Sequence, residues 1–129
     1  MRGLLQTIPN TDRGSQIRVL VVGDSSVGKT TFCSLYCNNE LVKPSPTVGV
    51  SIEVKLHEYH NTMHFIELWD ISGASVYDQT RHFLYGVFHG VILMHDLTAR
   101  KTYESLRRWT IEIADTDDKP TPTPTQVLA

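Results

Sequence analysis

The chain has 129 residues, about 40% of them apolar, which fits one ordinary globular domain and disfavours two domains or a disordered chain. Twelve basic and fourteen acidic side chains give a net charge of −2, and their scatter along the chain disfavours nucleic acid as a partner. The apolar runs are far shorter than the roughly 18 residues of a membrane span, and two cysteines are too few for a disulfide framework, so we expect a cytoplasmic protein. Position 2 is not glycine and the C-terminus has no cysteine, so we expect no direct membrane anchor.

The first predicted elements are an arm, a strand and a helix. Residues 1–15 lack hydrophobic periodicity and are interpreted as a flexible N-terminal arm. The β-branched run from Ile17 to Val22 then predicts a buried strand. From Gly28 to about Asn38 apolar residues recur every three or four positions, the spacing of a helix that packs on a core.

An antiparallel hairpin is predicted next. Apolar and polar residues alternate from Val48 to His57, which is the period of a strand with one buried face. Residues 60–62 are polar enough to turn the chain into a second strand from Phe65 to Trp69. We expect this hairpin to lie at the edge of a sheet.

The following segment predicts a weak helix and a buried strand. The residues from Val76 to Phe88 have an irregular helical pattern, because glycine and serine positions interrupt it. The short apolar block from Val91 to Met94 is typical of a strand that is buried on both faces of a parallel sheet.

The last helical pattern runs from Tyr103 to Ile113, with apolar residues on one stripe and charged residues on the outer side. Three prolines at alternate positions after Lys119 remove backbone donors and fix φ, so neither a helix nor an inner strand can continue. We therefore predict a folded domain over residues 16–115 and a disordered Pro/Thr-rich tail over residues 116–129.

Residues 23–30, the phosphate loop, read Gly-Asp-Ser-Ser-Val-Gly-Lys-Thr and satisfy the pattern G-x-x-x-x-G-K-S/T between a strand and a helix. Backbone amides of such a loop form a concave nest around a polyphosphate, backed by the positive end of the helix. Lys29 would span the β- and γ-phosphates, and the Thr30 hydroxyl would ligate Mg²⁺. The alternative is a tight turn without a ligand. The nucleotide-binding residues predicted here are Gly23, Ser25, Ser26, Val27, Gly28, Lys29, Thr30 and Thr31.

A second motif, Trp-Asp-Ile-Ser-Gly at residues 69–73, has a carboxylate at the end of a strand and a glycine three residues later. Ligands of open α/β sheets bind at the carboxyl ends of the strands. Asp70 is therefore predicted to hold a magnesium-bound water, and the Gly73 amide to reach a γ-phosphate. The alternative for Asp70 is a capping role after the strand.

These motifs, together with Thr47 in the loop at residues 46–50 and the segments at 95–98 and 106–109, resemble the Ras-like small GTPases of the Rab subgroup. The resemblance covers roughly residues 16–113. It implies an α/β fold, the three-layer P-loop sheet of a Ras-like G domain with strand order 2-3-1-4-5-6. It also implies GTP or GDP as the ligand, with Mg²⁺ held by Thr30, Thr47 and Asp70.

In such a domain Thr47 is the switch I threonine, which closes on Mg²⁺ and the γ-phosphate, and residues 73–86 form switch II. Both switches are ordered by the γ-phosphate and released on its loss. The resemblance thus implies a nucleotide-dependent switch in intracellular trafficking or signalling. Effector or regulatory proteins would contact it through the switch regions.

The sequence departs from the family at two points. Ala74 follows Gly73 where family members place a glutamine that orients the attacking water, so we expect hydrolysis to be weak or to depend on a partner. No catalytic residue is therefore assigned. The Asn-Lys-x-Asp motif, whose aspartate reads guanine, does not occur in the 129 residues, so guanine over adenine follows from the resemblance alone.

We expect the G domain to be incomplete after its fourth strand and third helix, which would leave the block from Val91 to Met94 as an uncovered edge. Two alternatives to a GTP-binding switch stay open. One is a pseudo-GTPase interaction module without productive nucleotide binding. The other is a P-loop phosphotransferase.

Overall fold

The computed structural model of the chain describes residues 13–41, 47–115 and 126–128. Within them a five-stranded sheet has the order β2-β3-β1-β4-β5 and is flanked by short helices. None of the helices in these ranges is long and apolar enough for a membrane crossing. In chain order the elements are β1 (Arg13–Val22), α1 (Lys29–Asn38), β2 (Val50–Tyr59), β3 (Thr62–Ile71), a 3-10 turn (Ser75–Tyr77), α2 (His82–Tyr85), β4 (Gly90–Met94), α3 (Arg100–Glu104), α4 (Leu106–Ala114) and β5 (Gln126–Leu128).

The central strand β1 is parallel to both β3 and β4, and Val21 lies opposite Asp70 on one side and Ile92 on the other. The predicted antiparallel hairpin is confirmed, because β2 pairs with β3 along its whole length. Parallel strands place their carboxyl ends at one edge of the sheet. The phosphate loop after β1 and the end of β3 therefore meet at this edge.

The core lies on both faces of the sheet, which gives the three layers that the resemblance implies. On one face α4 packs its buried stripe against β1, β3 and β4, and on the other face α1 contributes Cys33. A large side chain that is buried completely stabilises a fold by roughly 1.5–3 kcal/mol. The first cluster comprises Leu20, Val22, Ile71, Tyr85, Val91, Leu93, Leu106, Trp109 and Ile113, and the second comprises Val21, Cys33, Leu68 and Ile92.

The face of β2 that alternation predicted to be buried is only partly covered. Ile52 is 46% exposed, because β2 is the outermost strand of the described sheet on that side. Its cross-strand neighbour Trp69 is half-buried, and the Arg18 guanidinium stacks on the Trp69 ring at 3.7 Å from its centroid.

Both predicted ends of the domain need correction. Strand β1 begins at Arg13, so the predicted arm is too long by three residues, and residues 1–12 lie outside the described part of the chain. The prediction of a disordered end is wrong for Gln126–Leu128, which pair in parallel with Ile92–Met94. The pairing gives β4 a neighbour on its outer side, so the expected uncovered edge is also wrong. The rest of the predicted tail, residues 116–125 and 129, lies outside the described residues.

Two helical predictions also differ in detail. The weak helix expected from Val76 to Phe88 contains only a 3-10 turn and the four-residue α2, which ends where Gly86 adopts a φ of 45°. The last helix is divided into α3 and α4 at Ser105, whose hydroxyl donates to the Lys101 carbonyl at 2.9 Å. Hydroxyl bonds of this kind bend helices.

Candidate functional site

The phosphate loop is fixed by close backbone packing. A Cβ at Gly23 would lie 2.2 Å from the Met94 carbonyl oxygen, so only glycine allows this approach between β1 and β4. Gly28 has a φ of 102° immediately before α1, a conformation that other residues rarely adopt. Ser26 has a φ of 66° although it is not glycine, which places backbone strain in the loop itself.

The loop forms one wall of a pocket of about 510 Å³ at the carboxyl edge of the sheet. All predicted nucleotide-binding residues except Gly23 and Val27 line it. The volume lies in the usual range for small-molecule sites. The lining residues are Ser25, Ser26, Gly28, Lys29, Thr30, Thr31, Thr47, Ser72, Gly73 and Ala74.

Lys29 is buried at the floor of this pocket. Its Nζ donates to the carbonyl oxygens of Gly23 at 2.9 Å and Asp24 at 2.8 Å. Burial lowers the pKa of Lys29, while the carboxylates of Asp70 and Asp24 act in the opposite direction. The ammonium is therefore held against carbonyls of its own loop, at the lining of the pocket.

Three oxygen-bearing side chains converge next to Lys29. The Thr30 and Thr47 hydroxyl oxygens are 2.9 Å apart, and both hydroxyls donate to Asp70 Oδ2, Thr47 at 3.2 Å. Asp70 is 1% exposed, and its Oδ1 has no hydrogen-bond partner among the described residues. A buried carboxylate oxygen without a partner is costly unless a cation or donor satisfies it.

This set fits Mg²⁺, which binds hard oxygen ligands and uses one or two carboxylates together with substrate phosphates. The described residues contain no group of three or more His, Cys, Asp or Glu side chains that could hold a metal by themselves. The fit therefore depends on the two hydroxyls, on the free Oδ1 of Asp70 and on oxygens that a bound phosphate would bring.

Gly73, which follows the end of β3, packs closely against the backbone of the phosphate loop. A Cβ at this position would lie 2.4 Å from the Gly23 carbonyl oxygen and 2.7 Å from the Ser25 nitrogen. The Ser72 amide donates to the Gly49 carbonyl at 2.8 Å, which ties the segment that carries Thr47 to the same place. Residues from three parts of the sequence are thereby brought together at one pocket.

Ala74 lines the pocket, and its methyl group cannot orient a water molecule. Of the polar residues close to it in sequence, Asp78 is paired with Arg81 and is thus engaged elsewhere. The described residues around Ala74 therefore contain no evident substitute for the missing glutamine, since Gln79 is exposed and does not line the pocket.

Sequence reasoning missed the residues that support the site from behind. Arg81 is 1% exposed and forms ion pairs with Asp78 and Glu112. The Trp109 indole N–H donates to Asp24 Oδ1 at 2.9 Å, which connects α4 to the phosphate loop. The only sequence signal was the three-residue spacing of Asp78 and Arg81, which does not reveal burial.

The strand order, the phosphate loop and the Asp70 cluster define a P-loop nucleotide-binding domain. The sequence profile of the Ras family matches residues 18–127, and the chain belongs to this family. The resemblance to Ras-like small GTPases that the motifs predicted is thereby confirmed.

Within the Ras family, the chain is similar to several curated small GTPases. Rab-like protein 3 of Xenopus tropicalis is 42% identical over 116 residues, which cover 82% of this chain and 49% of that protein. Rab-like protein 3 of Homo sapiens is 40% identical over 116 residues, with the same coverage of 82% and 49%. Small GTPase LIP1 of Arabidopsis thaliana is 38% identical over 123 residues, or 84% of this chain and 36% of LIP1. The chain spans about half the length of the Rab-like protein 3 relatives.

Proposed function

We propose that the chain binds GTP and GDP with Mg²⁺ and acts as a Rab-like switch. The observation that carries this proposal is the convergence of Thr30, Thr47 and Asp70 beside Lys29, with one buried carboxylate oxygen left for a cation. A structural turn does not need this arrangement, whereas a metal-bound polyphosphate does.

The side chains have separate tasks in this proposal. Thr30, Thr47 and Asp70 would hold Mg²⁺, which neutralises the charge of the phosphates when bound. Lys29 exchanges its bonds to the loop carbonyls for bonds to phosphate oxygens, and the cost of breaking those carbonyl bonds is offset by charge-assisted ones. The Gly73 amide meets the terminal phosphate.

We propose guanine as the base because the chain belongs to the Ras family and resembles small GTPases. The described residues that line the pocket do not by themselves select guanine over adenine. Hydrolysis is proposed to be weak or to depend on a partner, because Ala74 cannot orient water. A partner that inserts a polar side chain next to Ala74 would supply the missing group.

In this proposal the switch acts on proteins that contact the switch regions in cytoplasmic trafficking or signalling. Two large apolar side chains of switch II support this, because Val76 is 80% and Phe83 77% exposed. Exposed apolar groups beside a ligand-dependent loop are suited to binding a partner.

A second candidate is an interaction module that does not bind nucleotide. Lys29 favours it, because its ammonium is already bonded to two carbonyls of its own loop. In that case the Thr47 contact to Asp70 would be a permanent structural bond.

Titration calorimetry separates the candidates. The full chain is titrated with a non-hydrolysable GTP analogue and the matching ATP analogue, with Mg²⁺ and with EDTA. Binding of the GTP analogue that requires Mg²⁺ and is lost in Lys29→Ala supports the proposal. The matched control Lys101→Ala changes an exposed lysine on α3 and leaves binding intact. Absence of binding favours the interaction module, and preference for ATP favours a phosphotransferase.

A further inference from the structure

Arg81 is a buried charge within switch II that does not line the pocket. Its Nε and Nη2 donate to the two Glu112 oxygens at 3.1 and 2.9 Å, and Nη2 also pairs with Asp78. Its Nη1 donates to the backbone carbonyls of Ser72 at 3.2 Å and Ala74 at 3.0 Å. One side chain thus binds switch II, the end of β3 and helix α4 together.

The charges in this cluster are satisfied without a ligand. Burial opposes the charged form of Arg81, but the hydrogen bonds that Arg81 donates to Glu112 and Asp78 outweigh this effect and raise its pKa. The Tyr85 hydroxyl donates to Glu112 Oε2, so both oxygens of this carboxylate are occupied. A fully bonded buried network makes a segment rigid.

Trp109 extends the cluster to the phosphate loop. The Arg81 guanidinium lies 4.4 Å from the centroid of the Trp109 ring, and the indole N–H of the same residue donates to Asp24. Arg108 also reaches Asp24 Oδ1, at 3.2 Å. Helix α4 therefore supports both walls of the pocket, the loop on one side and switch II on the other.

We infer that Arg81 is a positioning residue that holds Gly73 in place before the nucleotide binds. Its Nη1 bonds the carbonyls on both sides of Gly73, and Gly73 is packed on the backbone of the phosphate loop. The inference rests on the proposed function, in which the Gly73 amide meets the terminal phosphate. A group that is ordered in advance loses less entropy on binding, so Arg81 favours triphosphate over diphosphate.

A switch II that is held by Arg81 before binding differs from one that becomes ordered only when the γ-phosphate binds. The amides of Tyr77, Asp78, Thr80 and Arg81, which donate to backbone carbonyls within switch II, should be protected from hydrogen exchange in the nucleotide-free chain as well as in its complexes. The segment around Thr47 has no such buried clamp among its described contacts and should carry most of the response to nucleotide.

The test compares Arg81→Lys and Glu112→Gln with Arg100→Lys, which makes the same change in the exposed ion pair of Arg100 and Glu104. Hydrogen exchange is measured on nucleotide-free protein. The ratio of the affinities for a non-hydrolysable GTP analogue and for GDP is measured by calorimetry. We expect Arg81→Lys to lower this ratio about tenfold, since two bonds to carbonyls are lost. GDP affinity should change less than twofold, and Arg100→Lys should match the unmodified chain.

Equal losses of GTP-analogue and GDP affinity in folded Arg81→Lys or Glu112→Gln protein would overturn the inference, because they indicate a purely structural role. Unprotected amides at Tyr77, Asp78, Thr80 and Arg81 in the unmodified nucleotide-free chain would overturn it even if neither variant folds. If the unmodified chain binds no nucleotide, the proposed function fails. Hydrogen exchange still decides whether Arg81 orders switch II in that case.

Discussion

Gly73→Ala is the most direct test of how closely switch II packs on the phosphate loop. The added Cβ would lie 2.4 Å from the Gly23 carbonyl oxygen, 2.7 Å from the Ser25 nitrogen and 2.8 Å from the Asp24 carbonyl carbon. All three are backbone atoms, so relief requires movement of the loop itself. Overpacking of this kind costs roughly 1–3 kcal/mol, which lowers the Tm of a chain of this size by roughly 5–15 °C.

Gly49→Ala is the matched control, because it separates steric overlap from backbone strain. Gly49 has a φ of 72° and open space around its Cα, whereas Gly73 is not among the residues with positive φ. The control should therefore lose only about 1 kcal/mol through strain and should keep the phosphate loop in place.

The assay is thermal unfolding followed by circular dichroism, with calorimetric titration of a GTP analogue on the same samples. Gly73→Ala should lose at least tenfold in affinity, since the displaced loop carries the phosphate-binding amides. The reasoning is refuted if Gly73→Ala has the Tm and the affinity of the unmodified chain. It is also refuted if its affinity falls no further than that of Gly49→Ala.

Three further predictions follow, two from the pocket and one from the packing of α1. Ala74→Gln should raise GTP hydrolysis at least tenfold in a phosphate-release assay, since a general base or water-orienting group contributes that much or more; an unchanged rate would show that more than this side chain is missing. Burial lowers the pKa of Lys29, so its ammonium loses the proton below pH 10.5, the ordinary pKa of lysine. Nucleotide affinity measured by calorimetry should therefore fall as pH rises towards 10.5. An affinity that stays constant up to that pH would contradict the burial of Lys29. Burial raises the pKa of Cys37 to about 11 and that of Cys33 as well, so both thiols should react slowly with iodoacetamide at pH 8 and rapidly in urea; fast labelling of the folded chain, read by mass spectrometry, would show that α1 is not packed as described.

Much of the fold could be predicted because its signals are local. A β-branched run marks the strand before Gly23, apolar residues every three or four positions mark the helix after Gly28, and the motif between them fixes their connection. The alternation in β2 predicted the hairpin with β3, because register and period depend on neighbouring residues. Thr47, by contrast, could be assigned only through the resemblance, since a lone threonine in a loop has no chemical signature.

Features that depend on distant partners could not be predicted. The strand Gln126–Leu128 has only three residues, and its pairing with β4 joins positions more than thirty apart. The burial of Arg81 likewise requires Glu112 from another helix. An arginine in a polar segment is normally exposed, and nothing in the local pattern indicates that it lies under a tryptophan ring.

The stacking of Arg81 on Trp109 has a practical consequence. The chain has two tryptophans, and each lies against a guanidinium, Trp109 against Arg81 and Trp69 against Arg18. Indole emission is sensitive to nearby charge, so Trp69→Phe would leave a single intrinsic optical probe whose N–H touches the phosphate loop. Ligand binding could then be followed in real time by the fluorescence of Trp109, without an attached dye.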